Sequence, residues 1–419
     1  MREKPLAVII LAAGKGTRMR SPLPKALHRV CGQPMIWHLV EKANVFSAKK
    51  PVVIAGHGIK LVRNFLGQNA RVIWQKRLLG SGHAVNQAAG VFRGFRGSVL
   101  VLYCDTPLIK TETIDKLLRN HRATRTDCTM LSVRLQDPSG YGRVRRAADG
   151  LVERIIEHDD ASPEEQAINE INVGCYVFDA RKLFSALRLV RRDPKKKEYY
   201  LTDVIAVLAE NGKVDSILAG DPEEARGINT RMDLSILQEA MQENLLKKWI
   251  EKGVEIRDPK TTTIDADVEI GIDTVILPHT VIQEGSRIGR GCSIGPFARI
   301  RGGSKIGDGT VVGNFVEVVR SKIGNKSYIK HLSYIGDAEV GSGVNVGAGT
   351  ITANYDGKKK HKTVIKDGAQ IGSGTVLVAP VTIGRFAKTG AGAVVTKGKN
   401  VPDKTVVVGV PARQLQKTD

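Results

Sequence analysis

The chain has 419 residues, 42% of them hydrophobic, enough for two or three domains with ordinary globular cores. Aromatic residues make up only 5%, low for a helical bundle and natural for a solenoid rich in glycine, valine and isoleucine. A net charge of +21 raises a nucleic-acid partner, but the basic residues are scattered and no nucleic-acid motif accompanies them. The charge therefore points to anionic substrates, and no nucleic-acid partner is expected. Five cysteines (Cys31, Cys104, Cys128, Cys175, Cys292) stand far apart with no C-x-x-C pair, so neither a zinc site nor a disulfide framework is indicated. A reducing, cytoplasmic setting is expected. The apolar stretch at 6–13 is too short to span a membrane and runs straight into glycines, so neither a signal peptide nor membrane insertion is expected.

Leu6 to Leu11 reads as a short buried strand. A glycine-rich turn, Ala12-Ala13-Gly14-Lys15-Gly16-Thr17-Arg18, follows at once. Such a turn lets backbone N–H groups approach a polyphosphate. Lys15, Arg18 and Lys25 add cationic side chains, so the stretch predicts a phosphate site. It is not the Rossmann fingerprint, because position 19 is Met, and no G-K-[ST] closes it as a Walker A loop.

Up to about residue 229, strand-like runs alternate with helical patterns. Val52–Ala55, Arg71–Trp74, Ser98–Tyr103, Cys128–Arg134 and Val173–Phe178 are strand candidates, and Met35, Ile36, Leu39, Val40 and Ala43 recur at helical spacing. The pattern predicts an α/β Rossmann-like domain with a mostly parallel sheet and a site at the carboxyl ends of its strands. Gln75 precedes a Gly80-Ser81-Gly82 turn that suits a base or a phosphate. Asp105, at the tip of Ser98–Tyr103, reads either as a Mg²⁺ ligand or as an N-cap for a helix after Pro107. Asp137–Arg143, Ile156-Glu157-His158 and Glu170–Gly174 are weak signals singly. The basic run Arg191 to Lys197 reads as a solvated loop, and Gly227-Ile228-Asn229 offers an amide oxygen. Leu234, Leu237, Met241 and Leu245 then predict one amphipathic helix, closed by Gly253. The expected division is a first domain over 1–229, a connecting helix over 230–253 and a second domain over 254–419.

From about 262 to 397 the texture changes. Ile288, Ile294, Ile300, Ile306, Val312 and Val318 stand six apart, and after a five-residue step Ile323, Ile329 and Ile335 continue the series. Glycine follows most of these positions. This is the hexapeptide pattern of a parallel β-helix, three hexapeptides to a triangular coil. Two interruptions suggest a site. His331-Leu332-Ser333-Tyr334 puts an imidazole on a coil, and Asn354 to Lys362 forms a basic loop suited to an anionic acyl carrier such as coenzyme A. Histidine supplies a general base with a pKa near neutrality.

The opening L-x-A-G-x-G-T-R-M with Pro24-Lys25 resembles the signature of sugar-phosphate nucleotidyltransferases. Gly80-Ser81-Gly82-His83-Ala84, the Gly-Tyr-Gly-Arg ending at Arg143, the segments at Glu157 and Asn172, Glu198–Asp203, and the C-terminal H-L-S-Y and N-Y-D-G complete a wider match. Over about residues 6–397 the chain is similar to the bacterial bifunctional UDP-N-acetylglucosamine pyrophosphorylase / glucosamine-1-phosphate N-acetyltransferase family. The resemblance implies a left-handed β-helix and a homotrimer. It implies that UTP and the product are held by Leu11, Ala12, Ala13, Gly14, Lys25, Gln75, Gly80, Ser81, Tyr103, Cys104 and Asp105, with the sugar on Gly142, Glu157 and Asn172. Asp105 and Asn229 are the implied Mg²⁺ ligands, and Lys25 and Arg18 the transition-state cations. In the second half it implies His331 as base, with Arg301, Tyr334, Asn345 and Lys360 on the acceptor sugar phosphate. Ala348, Asn354, Tyr355, Ser373 and Ala391 are implied for acetyl-CoA. Glu317 is a candidate to orient the imidazole.

Two departures from that family stand in the second half. Val319 occupies the place of a lysine that grips the acceptor phosphate, with Arg320 next to it, and Gly409 to Arg413 replaces an arginine segment for coenzyme A. Two alternatives follow: a pyrophosphorylase whose solenoid is only a trimerisation scaffold, or an acetyltransferase with another amino-sugar 1-phosphate as acceptor.

Overall fold

A computed structural model describes residues 5–415. They form two compact units. The first comprises the chain up to Val30 and Pro34–Leu237; the second comprises Cys31–Gln33 and the chain from Gln238.

The first unit is built on a twisted sheet. Across it the main strands run Val214–Leu218, Cys128–Arg134, Glu170–Asp179, Ser98–Tyr103, Leu6–Ala12, Val52–Ala55 and Arg71–Trp74. Leu6–Ala12 lies parallel to both neighbours, with Ile9 opposite Val52 and Val101. The interior of the sheet is continuously apolar because helices cover it: Val8, Ile9, Ile10, Val53, Ile54, Leu100 and Val101 are all buried. Burying one such side chain contributes roughly 1.5–3 kcal/mol. The strand predicted from Val173 begins earlier, at Glu170, and it runs antiparallel to Ser98–Tyr103 and Cys128–Arg134. Sequence pattern reports burial, which is the same for either direction of a fully covered strand.

The second unit is a solenoid of three parallel sheets with strands mostly two to four residues long. Val275 pairs with Ser293 and Ser293 with Val311, one coil per eighteen residues. The shortened step takes Val311 to Tyr328, and the loop after Ala353 lengthens the next coil, so that Asn345 pairs with Gln370. The hexapeptide residues point inward: Ile276, Ile294, Ile300, Val312, Val318, Ile329 and Ile335 are fully buried. Between them runs a column of buried hydroxyls that bond to backbone carbonyls. Thr310 Oγ1 donates to Gly324 O at 2.9 Å and Ser327 Oγ to Gly341 O at 2.8 Å. These bonds satisfy groups that would otherwise be costly to bury. The architecture is consistent with a left-handed β-helix, and its pairing extends from Glu255 to Gln414.

The helix predicted around Leu234–Leu245 runs Arg231–Glu251. Its buried residues are Leu237, which belongs to the predicted set, and Leu246 and Trp249, which stand on other sides of the helix; Leu234, Met241 and Leu245 are half-buried. Among the described residues no helix is long and apolar enough to cross a membrane. All five cysteines are buried and free.

Candidate active sites

The Leu6–Ala12 strand ends in the glycine turn, and Gly16 takes the left-handed conformation, φ +63°. A Cβ there would stand 2.8 Å from Lys25 Cβ, so this glycine lets the loop fold back over Lys25. The loop walls a cavity of about 560 Å³ in the first unit. Leu11, Ala12, Ala13, Gly14, Arg18 and Lys25 line it from one side, Gln75, Gly80 and Ser81 from another, and Tyr103, Cys104, Asp105 and Asn229 from a third. Lys15, expected as a phosphate cation, and Glu198, from the matched E-Y-Y-L-T-D segment, also line it, as does Leu78, to which no role was assigned.

Asp105 is not a helix cap, since the next helix starts at Thr111 with Lys110 as its N-cap. Its loop is pinned instead. Cys104 N donates to Leu11 O at 2.9 Å, Thr106 N and Oγ1 both donate to Tyr103 O, and Lys42 Nζ donates to Pro107 O. Ile228 N donates to Asp105 O at 2.9 Å, which brings the Asn229 segment beside it. Lys25 Nζ then lies 2.7 Å from Asp105 Oδ2 and 3.1 Å from Asn229 Oδ1, and Arg18 donates to the same Asn229 oxygen at 2.9 Å. A carboxylate and an amide oxygen converging on one cationic atom fit a divalent cation that takes its remaining ligands from water and phosphates.

The Gly80-Ser81-Gly82 turn is equally constrained. Gln75, buried, donates to Gly80 O at 3.0 Å, and Gly82 N to Tyr199 O at 2.8 Å. Ser81 starts a short helix and its Oγ accepts from Leu201 N at 2.9 Å. Burial pushes the Tyr103 phenol well above its usual range, so it acts as a neutral hydrogen-bonding group beside Ser81.

Gly142, Glu157 and Asn172 form a second cluster that is not part of the cavity wall. Asn172 N donates to Gly142 O at 2.9 Å, and a Cβ on Gly142 would stand 3.8 Å from Glu157 Oε2. Glu157 accepts from Thr202 Oγ1 at 2.9 Å, and Asn172 Nδ2 donates to the Tyr176 hydroxyl at 2.7 Å. Arg143, fully buried, bonds back to Tyr141 O and braces the turn. Tyr103 packs on Gly174, two residues past Asn172, and so lies between this cluster and the cavity it lines. The basic run at 191–197 is exposed but not free: Lys195 pairs with Asp160 at 3.1 Å and Lys196 with Asp159 at 2.9 Å.

In the second unit, His331 ends the Tyr328–His331 strand, exposed and in register with Asn314. Tyr334 starts the next strand after a one-corner turn, with its hydroxyl over Gly336, where a Cβ would stand 2.5 Å from the oxygen. Asn345 faces outward on the same sheet as His331. Ala348, Ser373 and Ala391 stack on successive coils: Gly374 N donates to Ala348 O and Gly392 N to Ser373 O, both at 2.7 Å, and Ala391 packs against Gly372. Asn354 is buried and Tyr355 exposed at the base of the basic loop, which closes with a Tyr355–Lys360 bridge. Asp356 is held far below the usual carboxylate range by the Lys359 and Lys358 backbone N–H groups and His361. Glu317 makes no bond to His331; its carboxylate meets Arg301 at 3.4 Å and Arg299 at 3.9 Å. Val319 is buried, and the Arg413 guanidinium bonds only to the neighbouring Ala412 carbonyl among the described residues.

A MobA-like NTP transferase domain model matches residues 8–196, and a bacterial transferase hexapeptide (six repeats) model matches 285–320 and 362–397. Fold and sites thus define a nucleotidyltransferase joined to a hexapeptide transferase. The chain is 44% identical to Bifunctional protein GlmU of Shouchella clausii, over 98% of this chain and 97% of that protein. The Bifunctional protein GlmU of Bacillus subtilis is 42% identical over 98% and 97%, and that of Caldanaerobacter subterraneus 41% over 98% and 96%. The chain belongs to the GlmU family of bifunctional proteins.

Proposed function

We propose that the chain makes UDP-N-acetylglucosamine by two successive transfers, acetylation of glucosamine 1-phosphate and uridylylation of the product. The observation that carries the reading is the convergence of Asp105, Asn229 and Lys25 in the cavity, in a chain related over 98% of its length to a bifunctional protein.

In the second unit the amine of glucosamine 1-phosphate attacks the thioester carbonyl of acetyl-CoA. An N–C bond forms, the C–S bond breaks, and coenzyme A leaves as the thiol. His331 takes the proton from the amine, because a protonated amine cannot attack. Arg301, Tyr334, Asn345 and Lys360 hold the acceptor, and Ala348, Asn354, Tyr355, Ser373 and Ala391 line the acetyl-CoA path. A homotrimer is the proposed assembly.

In the first unit a phosphate oxygen of N-acetylglucosamine 1-phosphate attacks the α-phosphorus of UTP, and the bond to the β-phosphate breaks to release pyrophosphate. Asp105 and Asn229 would hold Mg²⁺, which neutralises and aligns the phosphates. Lys25 and Arg18 stabilise the charge that builds up at the attacked phosphorus. Gln75, Gly80 and Ser81 take the base, and Gly142, Glu157 and Asn172 the sugar.

The test is a pair of assays on one preparation: thiol release from acetyl-CoA with glucosamine 1-phosphate, and pyrophosphate release from UTP with N-acetylglucosamine 1-phosphate. Both are expected. Pyrophosphate without thiol from a folded protein would reduce the solenoid to a scaffold.

A further inference from the structure

We infer that Arg320, held in place by Asp337, supplies a cation that grips the phosphate of the acetyl acceptor. The inference rests on the acetyltransferase reading above and names a specificity-determining residue within it.

Arg320 stands where the chain leaves the Glu317–Val319 strand for Lys322–Ile323, in the left-handed conformation, φ +48°. Val319 before it is buried at 1% exposure and Ser321 after it also at 1%. Arg320 is therefore the cation that this corner turns outward.

Its guanidinium is gripped along one edge. Nε donates to Asp337 Oδ1 and Nη2 to Asp337 Oδ2, both at 2.7 Å. Asp337 Oδ2 also accepts from Asn354 Nδ2, and that amide lies 3.5 Å from the Tyr334 hydroxyl. Arg320, Tyr334, Asp337 and Asn354 thus form one cluster across three successive coils. Asp337 is held below the usual carboxylate range chiefly by the Arg320 bond, with help from Asn354 and the charge of Lys360. Arg320 and the nearby Lys360 thus set two cations against one ionised carboxylate.

A guanidinium carries five N–H donors in a planar fork. Asp337 takes the Nε–Nη2 edge. Nη1 has no partner among the described residues, and the side chain is 41% exposed. The remaining Nη1–Nη2 edge matches two oxygens of a phosphate. An exposed ion pair by itself adds little to stability. An arginine already fixed on one edge loses less rotamer freedom when the other edge binds.

The test uses the full-length protein and thiol release with two acceptors, glucosamine 1-phosphate and glucosamine, which lacks the phosphate. For Arg320→Met we expect KM for glucosamine 1-phosphate to rise about tenfold or more. KM for acetyl-CoA and kcat/KM for glucosamine should stay within about twofold. Arg320→Lys should recover part of the loss, and it replaces the methionine variant should that one not fold; uridylyl transfer reports folding in each. An unchanged KM for glucosamine 1-phosphate, or an equal loss with both acceptors, overturns the inference while leaving the acetyltransferase reading intact. No thiol release from the wild-type protein with either acceptor overturns that reading and the inference with it.

Discussion

Lys25 Nζ stands 2.7 Å from Asp105 Oδ2 and 3.1 Å from Asn229 Oδ1, so one ammonium bridges the two oxygens proposed to bind the metal. The three residues come from the glycine-turn segment, the tip of a buried strand and the run into the Arg231–Glu251 helix. A cation entering between the two oxygens would displace the ammonium toward the substrate phosphates. In the proposed mechanism the same lysine would balance charge before binding and act as a phosphate cation after it.

Lys25→Ala is expected to lower uridylyl transfer by about 10²–10³-fold, the usual loss for one charge-stabilising donor. Acetyl transfer should be unchanged, because Lys25 lies in the other unit. Pyrophosphate and thiol release measured side by side check this; equal loss of both in a folded protein refutes the separation.

Chelation should abolish uridylyl transfer and added Mg²⁺ restore it. Asp105→Asn keeps the shape and removes the charge, and should weaken metal binding by at least roughly tenfold. Mn²⁺ binding in the presence of UTP, followed by electron paramagnetic resonance, reads this without turnover. Wild-type affinity in the variant would remove Asp105 from the metal site.

His331→Ala should cut thiol release by about 10²–10⁴-fold, the range for a positioned base. The loss should shrink at high pH, where more of the amine is already unprotonated. A pH-independent, few-fold loss would assign His331 to binding alone.

Asp203 offers a test of stability. Burial, with Glu157 and Asp193 nearby, raises its pKa to about 6. In the unfolded chain an aspartate titrates near about 3.9. The folded state therefore holds the extra proton between these values, so stability falls as pH rises, and the full penalty stands above the folded pKa. Asp203→Asn should gain about 1 kcal/mol at neutral pH after allowance for solvent screening, and nothing near about pH 3.5. Chemical unfolding at the two pH values measures it; an equal gain at both would point to packing rather than charge.

Several elements were legible because their signal is local. The Leu6–Ala12 strand and its glycine turn, and the six-residue recurrence from Ile288, are periodic or contiguous patterns that report burial directly. Less legible were features set by partners distant in sequence. The Arg231–Glu251 helix buries Leu237 of the predicted set but also Leu246 and Trp249, which lie off that face. The run Arg191 to Lys197, solvated by composition, is partly tied to Asp159 and Asp160. Glu317, a candidate to orient His331, lies on another sheet opposite Tyr334, and its carboxylate meets Arg301 and its cross-strand neighbour Arg299 instead.

By itself the sequence determined the α/β character of the first half, the coil length of the solenoid and the residue types available for phosphate, metal and proton chemistry. All of these depend on spacing along the chain. The tertiary structure decided which of those residues meet. Lys25 and Asn229 are 204 positions apart and share an oxygen–ammonium contact only because Ile228 N bonds to Asp105 O. Arg320 meets Asp337 only because the shortened coil brings Val319 opposite Gly336. Non-local contacts arise when the chain packs its apolar faces, and no one-dimensional pattern records which polar groups that packing brings together.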